Sequence, residues 1–302
     1  LSFTNLAAFI LLLIINTLSN VPSSSSPSKN VLGTSPIGTV SDAYPTPVTP
    51  AGYTFSIWGL IYVCLGVYVV AQCVYPEWLA LAPGAPGTTS GRSGSTTMYQ
   101  AVLPYLFAAS CVLNVVWVLV FTQLPVSSTS SSSSSRSASV PLAVLSAVVL
   151  LALAGCIYGW MVGLAPVVVR GSNGSTTRET GESAMMRVVG GVVLLGAVVY
   201  CAWVTIACVL NLWTCASSAQ SNRAGFATSN RTGAILTLVF LALLFCGLLS
   251  WAHERSFPPR ASWARLAFAA VFVWAVIGVM QNVRNTKGDR GVLWVVSYCW
   301  FF

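Results

Sequence analysis

Seven apolar runs, each close to the length of a membrane span, divide this 302-residue chain: 3–20, 53–75, 101–122, 140–164, 187–213, 233–251 and 262–281. About 20 consecutive apolar residues carry a helix across the hydrocarbon layer. Inside that layer every backbone N–H and C=O must find its partner within the protein, and a single run of this length does so as a helix. The expected fold is therefore all-α, a polytopic membrane helical bundle of about seven transmembrane helices. Charge agrees with hydropathy. Charged residues make up 7% of the chain and hydrophobic ones 56%, against about 25% charged in an ordinary soluble domain. Nearly all the Arg, Lys, Asp and Glu lie between the runs. Residues 3–19 have no basic n-region and no convincing small-residue cleavage site after them, so they read as a first span rather than a signal peptide. The final apolar stretch, 292–302, is too short to span and reads as interfacial or as a truncated eighth helix.

The connections are polar and of low complexity. Residues 21–52 are rich in Pro, Ser and Thr, 79–97 in Gly, Pro, Ser and Thr, 127–138 almost wholly in Ser, and 171–183 and 216–231 in Gly, Ser and Asn. Such segments read as flexible linkers with no means of forming a core, which leaves no second soluble domain. Their basic residues fall almost evenly on the two sides of a seven-span topology, so the positive-inside rule assigns no orientation. The sequons at Asn173 and Asn230 fall on opposite sides and read as chance matches. The net charge of +8 is scattered over short loops. This fits contact with lipid headgroups and excludes a nucleic-acid surface, which needs basic residues gathered on one face.

The spans also lack certain chemistries. No run has a carboxylate near its centre, which disfavours proton- or ion-coupled transport. The two lysines, Lys29 and Lys287, lie outside the runs, which excludes a retinal Schiff base. Ser is abundant but no buried base accompanies it, so no hydrolase is indicated. Nine Cys are present without a CxxC pair. Cys201, Cys208 and Cys215 roughly share a helix face, yet no nearby His completes a metal site, and Cys here reads as a small hydrophobe.

What the spans do hold is aromatic and amide. Pro50 and Gly52 set a turn just before the second run, and Trp58 and Tyr62 stand four apart on one helix face. Ser110, Asn114, Trp117 and Phe121 form a stripe in the third run. Tyr200, Trp203, Ala207 and Asn211 form another in the fifth. An amide facing lipid is left unpaired, so Asn114 and Asn211 should face the interior and bring their rings with them. Three such faces suit a pocket for a large, flat, mostly apolar ligand. Interhelical packing and interfacial anchoring explain the same residues without a ligand. Trp78, Trp251, Trp263, Trp294 and Trp300 read as anchors.

At these residues the chain resembles the translocator protein family, also called tryptophan-rich sensory proteins, TspO/MBR or the peripheral benzodiazepine receptor. The family's Pro-Pro-Gly-Trp-x-Phe segment leading to Trp-x-x-x-Tyr is matched by Pro50-Ala51-Gly52-Tyr53-Thr54-Phe55 followed by Trp58 and Tyr62. Its Leu-Asn-x-x-Trp is matched by Leu113-Asn114-Val115-Val116-Trp117. Its fifth-helix pattern is matched by Tyr200-Cys201-Ala202-Trp203-Val204, then Ala207 and Leu210-Asn211. The chain departs from the pattern in having one residue fewer between Phe55 and Trp58, which rotates Phe55 relative to Trp58. It also has Val199 for a Pro, Tyr53 for a Trp and Ala51 for a Pro.

The resemblance implies two parts: a TspO-like five-helix membrane domain at 1–215 with Ser/Gly-rich insertions, and two additional helices with a short apolar tail at 216–302. It implies a non-enzymatic, multi-pass membrane receptor or carrier for a hydrophobic planar ligand, a porphyrin or other tetrapyrrole or a sterol-like molecule, with no covalent cofactor. The implied ligand-binding residues are Trp58, Tyr62, Asn114, Trp117, Tyr200, Trp203, Ala207 and Asn211. Pro50, Gly52, Tyr53 and Phe55 lie in the loop that resembles the family's flap. Expected partners are membrane lipids and the small-molecule ligand, with a homodimer or a larger membrane complex as the candidate assemblies. The family is found in organelle membranes such as the mitochondrial or plastid one and in secretory membranes, and no targeting segment here chooses among them. The alternative is a structural or assembly subunit that holds pigment or lipid. Breakdown of a bound tetrapyrrole ranks last, since no metal site or acid–base pair is apparent.

Overall fold

A computed structural model of the chain describes residues 2–24, 29–46, 48–74, 95–126, 133–173, 181–220 and 262–285, with Gly233, Thr237, Phe240, Leu244 and Gly247 between the last two segments. The apolar runs fold as helices: α1 Ser2–Leu18, α3 Ile57–Val74, α4 Ser95–Phe121, α5 Ser133–Asn173, α6 Gly181–Ser218 and α7 Ser262–Asn285. A short α2, Ile37–Ala43, lies in the first connection, and a 3₁₀ turn, Gly52–Ser56, leads into α3. Five of these stretches, Gly52–Val74, Val102–Phe121, Ser139–Ala165, Arg187–Ser218 and Trp263–Asn282, are long and apolar enough to cross a membrane. The protein is thus an integral membrane protein with an all-α bundle. The 17-residue α1 is about 26 Å long at 1.5 Å per residue, just short of a hydrocarbon core of about 30 Å. Most of the sixth run, 233–251, and the tail 292–302 lie outside the described residues, as do Trp78, Trp251, Trp294 and Trp300.

The bundle is built around α6. Of its most apolar window 89% is buried by the rest of the protein, against 39–44% for the other four spans. Helices α3, α5 and α7 pack against α6, while α4 joins α5 to α1. The other helices turn one stripe outward: Leu60, Val63 and Val70 on α3, Val144, Val148 and Leu151 on α5, and Leu266 and Val273 on α7 are exposed, as a lipid-facing surface requires. At Gly196 of α6 the approach to α3 is so close that a Cβ would run into Cys64 Cβ, with the Cys64 Cα only 3.5 Å away. Small residues at a helix crossing permit this in membranes.

Several polar residues inside the bundle are hydrogen-bonded, most of them across helices. Asn5 Nδ2 donates to Gln72 Oε1 at 2.9 Å, and Gln72 Nε2 to Tyr68 Oη at 2.7 Å. Asn16 Nδ2 donates to Asn114 Oδ1 at 3.2 Å, and Asn114 Nδ2 to Tyr200 Oη at 3.1 Å. Ser146 Oγ donates to Asn211 Oδ1 at 2.7 Å. In hydrocarbon such bonds average about 0.6 kcal/mol each and reach about 1.7.

The first connection corrects the expectation of a linker without a core. Val40 and Tyr44 join the main core and Val48 packs on Val276 of α7. Asn30 ties the loop shut: its Nδ2 donates to Ser19 O at 2.9 Å and its Oδ1 accepts from Thr34 N at 3.0 Å. Farther on, Tyr44 Oη donates to Pro125 O at 3.0 Å. Val40, Tyr44 and Val48 are turned inward, while Val21 and Val31 beside the closed loop stay exposed.

Candidate functional site

Trp58 stands at the centre of the aromatic array. Its indole stacks on Tyr62 (5.6 Å, 27°) and on Trp117 (6.4 Å, 28°), and meets Tyr200 edge-on (5.7 Å, 72°). Trp117 stacks in turn on Phe121 (5.4 Å, 25°). Helical spacing places these rings. Trp58 and Tyr62 are one turn apart on α3, as are Trp117 and Phe121 on α4. The missing residue between Phe55 and Trp58 is absorbed by the 3₁₀ turn. With three residues per turn, positions i and i+3 eclipse, so Phe55 comes onto the same side as Trp58. Phe55 closes edge-on against Trp203 of α6 (5.8 Å, 90°).

These walls surround a hollow lined by Phe55, Trp58, Trp117 and Phe121, by Trp203, Ala207, Leu210, Asn211 and Thr214 of α6, and by Ile37 and Ser41 of α2. Counting its open mouth, the hollow measures about 460 Å³; the part that admits the centre of a water molecule is about 40 Å³. The smaller figure governs what fits with the side chains in place. It is room for about three waters at roughly 10–15 Å³ each, and a macrocycle requires the rings to move.

Five of the expected ligand-binding residues, Trp58, Trp117, Trp203, Ala207 and Asn211, line this hollow, as does Phe55 from the expected flap. Tyr62, Asn114 and Tyr200 sit behind the aromatic wall, where Asn114 bridges Asn16 and Tyr200. Pro50, Gly52 and Tyr53 do not line it. Tyr53 is 39% exposed and lies edge-on to Trp274 of α7 (5.3 Å, 87°). Sequence reasoning missed Leu210, which widens the α6 stripe beside Asn211, and Thr214, which extends it by a turn. It also missed Ile37 and Ser41, which share one face of α2 but carry no signal that the loop folds back.

The polar atoms at the site are unevenly satisfied. Asn211 Oδ1 accepts from Ser146, while its Nδ2 reaches Ala207 O at a long 3.5 Å. The indole nitrogens of Trp117 and Trp203 and the hydroxyl of Tyr62 are buried with no hydrogen-bond partner. Buried polar atoms are nearly always paired, so each exception calls for an explanation. A fourth such atom, Trp160 Nε1, belongs to a separate cluster with Tyr68 and Phe107. None of the lining residues carries a charge. Among the described residues no three of His, Cys, Asp or Glu come together in a group that could hold a metal ion.

A family model described as TSPO-like protein matches residues 2–302, so the matched range runs through α7 and the C-terminal residues. No curated protein matches the chain, and no solved structure does.

Proposed function

Because the chain belongs to the TSPO-like protein family, we propose that it is a membrane receptor or carrier that holds a flat, largely apolar ligand between α3, α4 and α6. The observation that carries this reading is the pair of buried, unpartnered indole N–H groups on Trp117 and Trp203, both in the wall of one hollow. Once the rings part, a bound molecule with a carbonyl, hydroxyl or ring-nitrogen acceptor can satisfy them, while the ring faces of Trp58, Trp117 and Phe55 hold its apolar body. A tetrapyrrole and a sterol both meet that description. Because no lining residue is charged, a carboxylate on the ligand belongs at the mouth, in contact with water or headgroups; burying it without a cation is costly. The reading is binding and release.

Titration of the purified protein with protoporphyrin IX, followed by Trp fluorescence, tests it. Saturable quenching is expected. Ala207→Phe, which fills the hollow from α6, should abolish saturation in protein that still melts cooperatively, at a cost of about 1–3 kcal/mol from overpacking. Quenching that never saturates, or that is the same in Ala207→Phe, rules this site out.

A further inference from the structure

The hollow in its described form admits a few waters, so the residues around it must part before a flat ligand can enter. One of them, Phe55, stands on the 3₁₀ turn Gly52–Ser56, and that turn is gripped from outside the site by α7. Asn282 Nδ2 donates to Thr49 O at 3.0 Å. The Ala51 amide donates to Gly278 O at 2.9 Å. Trp274 Nε1 donates to Thr54 O at 3.0 Å. Positions 274, 278 and 282 are one turn apart and form a single stripe on α7. They meet 54, 51 and 49 in reverse order, so the extended segment lies antiparallel along the helix like a zip. The middle tooth requires glycine: a Cβ at 278 would stand 2.6 Å from Thr54 Oγ1 and 2.7 Å from its Cγ2.

We propose that Trp274, Gly278 and Asn282 are positioning residues that latch the Gly52–Ser56 turn, and that the latch sets how fast a ligand reaches and leaves the aromatic hollow. None of the three lines the hollow; they act through the backbone that carries Phe55. The inference rests on the binding reading above. A latch closed in both the empty and the filled protein has a distinctive signature. Weakening it accelerates binding and release by the same factor and leaves the dissociation constant unchanged. A residue that merely shapes the pocket changes affinity instead.

The test uses Trp274→Phe in the full chain, which keeps a ring against Tyr53 and removes the N–H donor. Loss of one average hydrogen bond within the membrane corresponds to about threefold. Stopped-flow mixing with protoporphyrin IX should show association and dissociation rates each about threefold faster, with the dissociation constant unchanged. Hydrogen exchange at the Ala51 amide should quicken by a similar factor, with amides in the middle of α6 unchanged. Gly278→Ala, which loosens the same zip by a different route, should shift these observables in the same direction. Unchanged rates and unchanged Ala51 exchange in both variants overturn the latch, as does a weakened dissociation constant carried by faster release alone. If the parent protein binds no porphyrin, the binding reading falls, and exchange at Ala51 alone decides whether α7 holds the turn.

Discussion

The close crossing of α3 and α6 at Gly196 fixes the distance between the two helices that carry Trp58 and Trp203, and it can be tested by one methyl group. In Gly196→Ala the new Cβ would lie inside 3.0 Å of Cys64 Cβ, a separation real Cβ atoms essentially never show, whereas ordinary contact begins at 3.4 Å. The obstructing atom is attached directly to the α3 backbone, so no side-chain rotation relieves the overlap and the helices must separate. Overpacking of this kind costs about 1–3 kcal/mol. At roughly 2–4 °C per kcal/mol for a large domain, the melting temperature in detergent should fall by about 2–12 °C. The specific cause is isolated by two partner changes. Cys64→Ala keeps the Cβ and should rescue nothing. Cys64→Gly removes it, so the double variant Cys64→Gly/Gly196→Ala should be more stable than the sum of the single effects by about 1 kcal/mol or more, well above the 0.3–0.5 kcal/mol scatter of independent sites. Because separation moves the Trp58 and Trp203 walls apart, Gly196→Ala should also change porphyrin affinity, and the double variant should bring it back toward the parent value. A melting temperature unchanged in Gly196→Ala, or equal rescue by Cys64→Ala and Cys64→Gly, would refute the argument from contact.

Two further substitutions separate bracing from binding. Asn114→Ala removes the bridge between Asn16 and Tyr200 and should cost about 1 kcal/mol from its two bonds, before any cavity term, with porphyrin affinity held within twofold; thermal melting and titration together check it. Ser146→Ala removes the donor that holds Asn211 Oδ1. Since Asn211 lines the hollow, affinity should fall about threefold, the equivalent of one average bond of about 0.6 kcal/mol in the membrane.

Much of the bundle is legible along the chain, because lipid imposes length and polarity on each span independently of its neighbours. The runs at 53–75, 101–122, 140–164 and 262–281 agree closely with the observed spans Gly52–Val74, Val102–Phe121, Ser139–Ala165 and Trp263–Asn282. The inward turn of Asn114 and Asn211 follows equally from local reasoning, and both are buried. What such reasoning cannot do is tell which inward residues border a hollow. Asn114 and Asn211 obey the same rule, yet one is consumed in a bridge and the other lines the site. That difference depends on which atoms of other helices arrive opposite, and spacing within one helix carries no information about it. The grip of α7 on the 49–54 segment is less legible still. It joins positions more than two hundred residues apart, and its central residue, Gly278, looks in sequence like one more small residue in a span. The burial of α2 was hidden for a different reason: four or five apolar residues among many Ser, Thr and Pro give no periodic signal, and they are ordered by the Asn30 hydrogen bonds that close the loop.

The burial of α6 on nearly every side has a consequence for biogenesis. This helix is apolar enough to enter the bilayer as it is made, with α1 to α5 already synthesised and α7 still to come. Until α7 arrives, the flank of α6 that packs on α7 lacks that cover, and the α7 partners of Thr49, Ala51 and Thr54 are missing. The last described helix to be translated is therefore the one that covers this flank and grips the 49–54 segment, and a ribosome that stops short of Ser262 releases a chain without either contact.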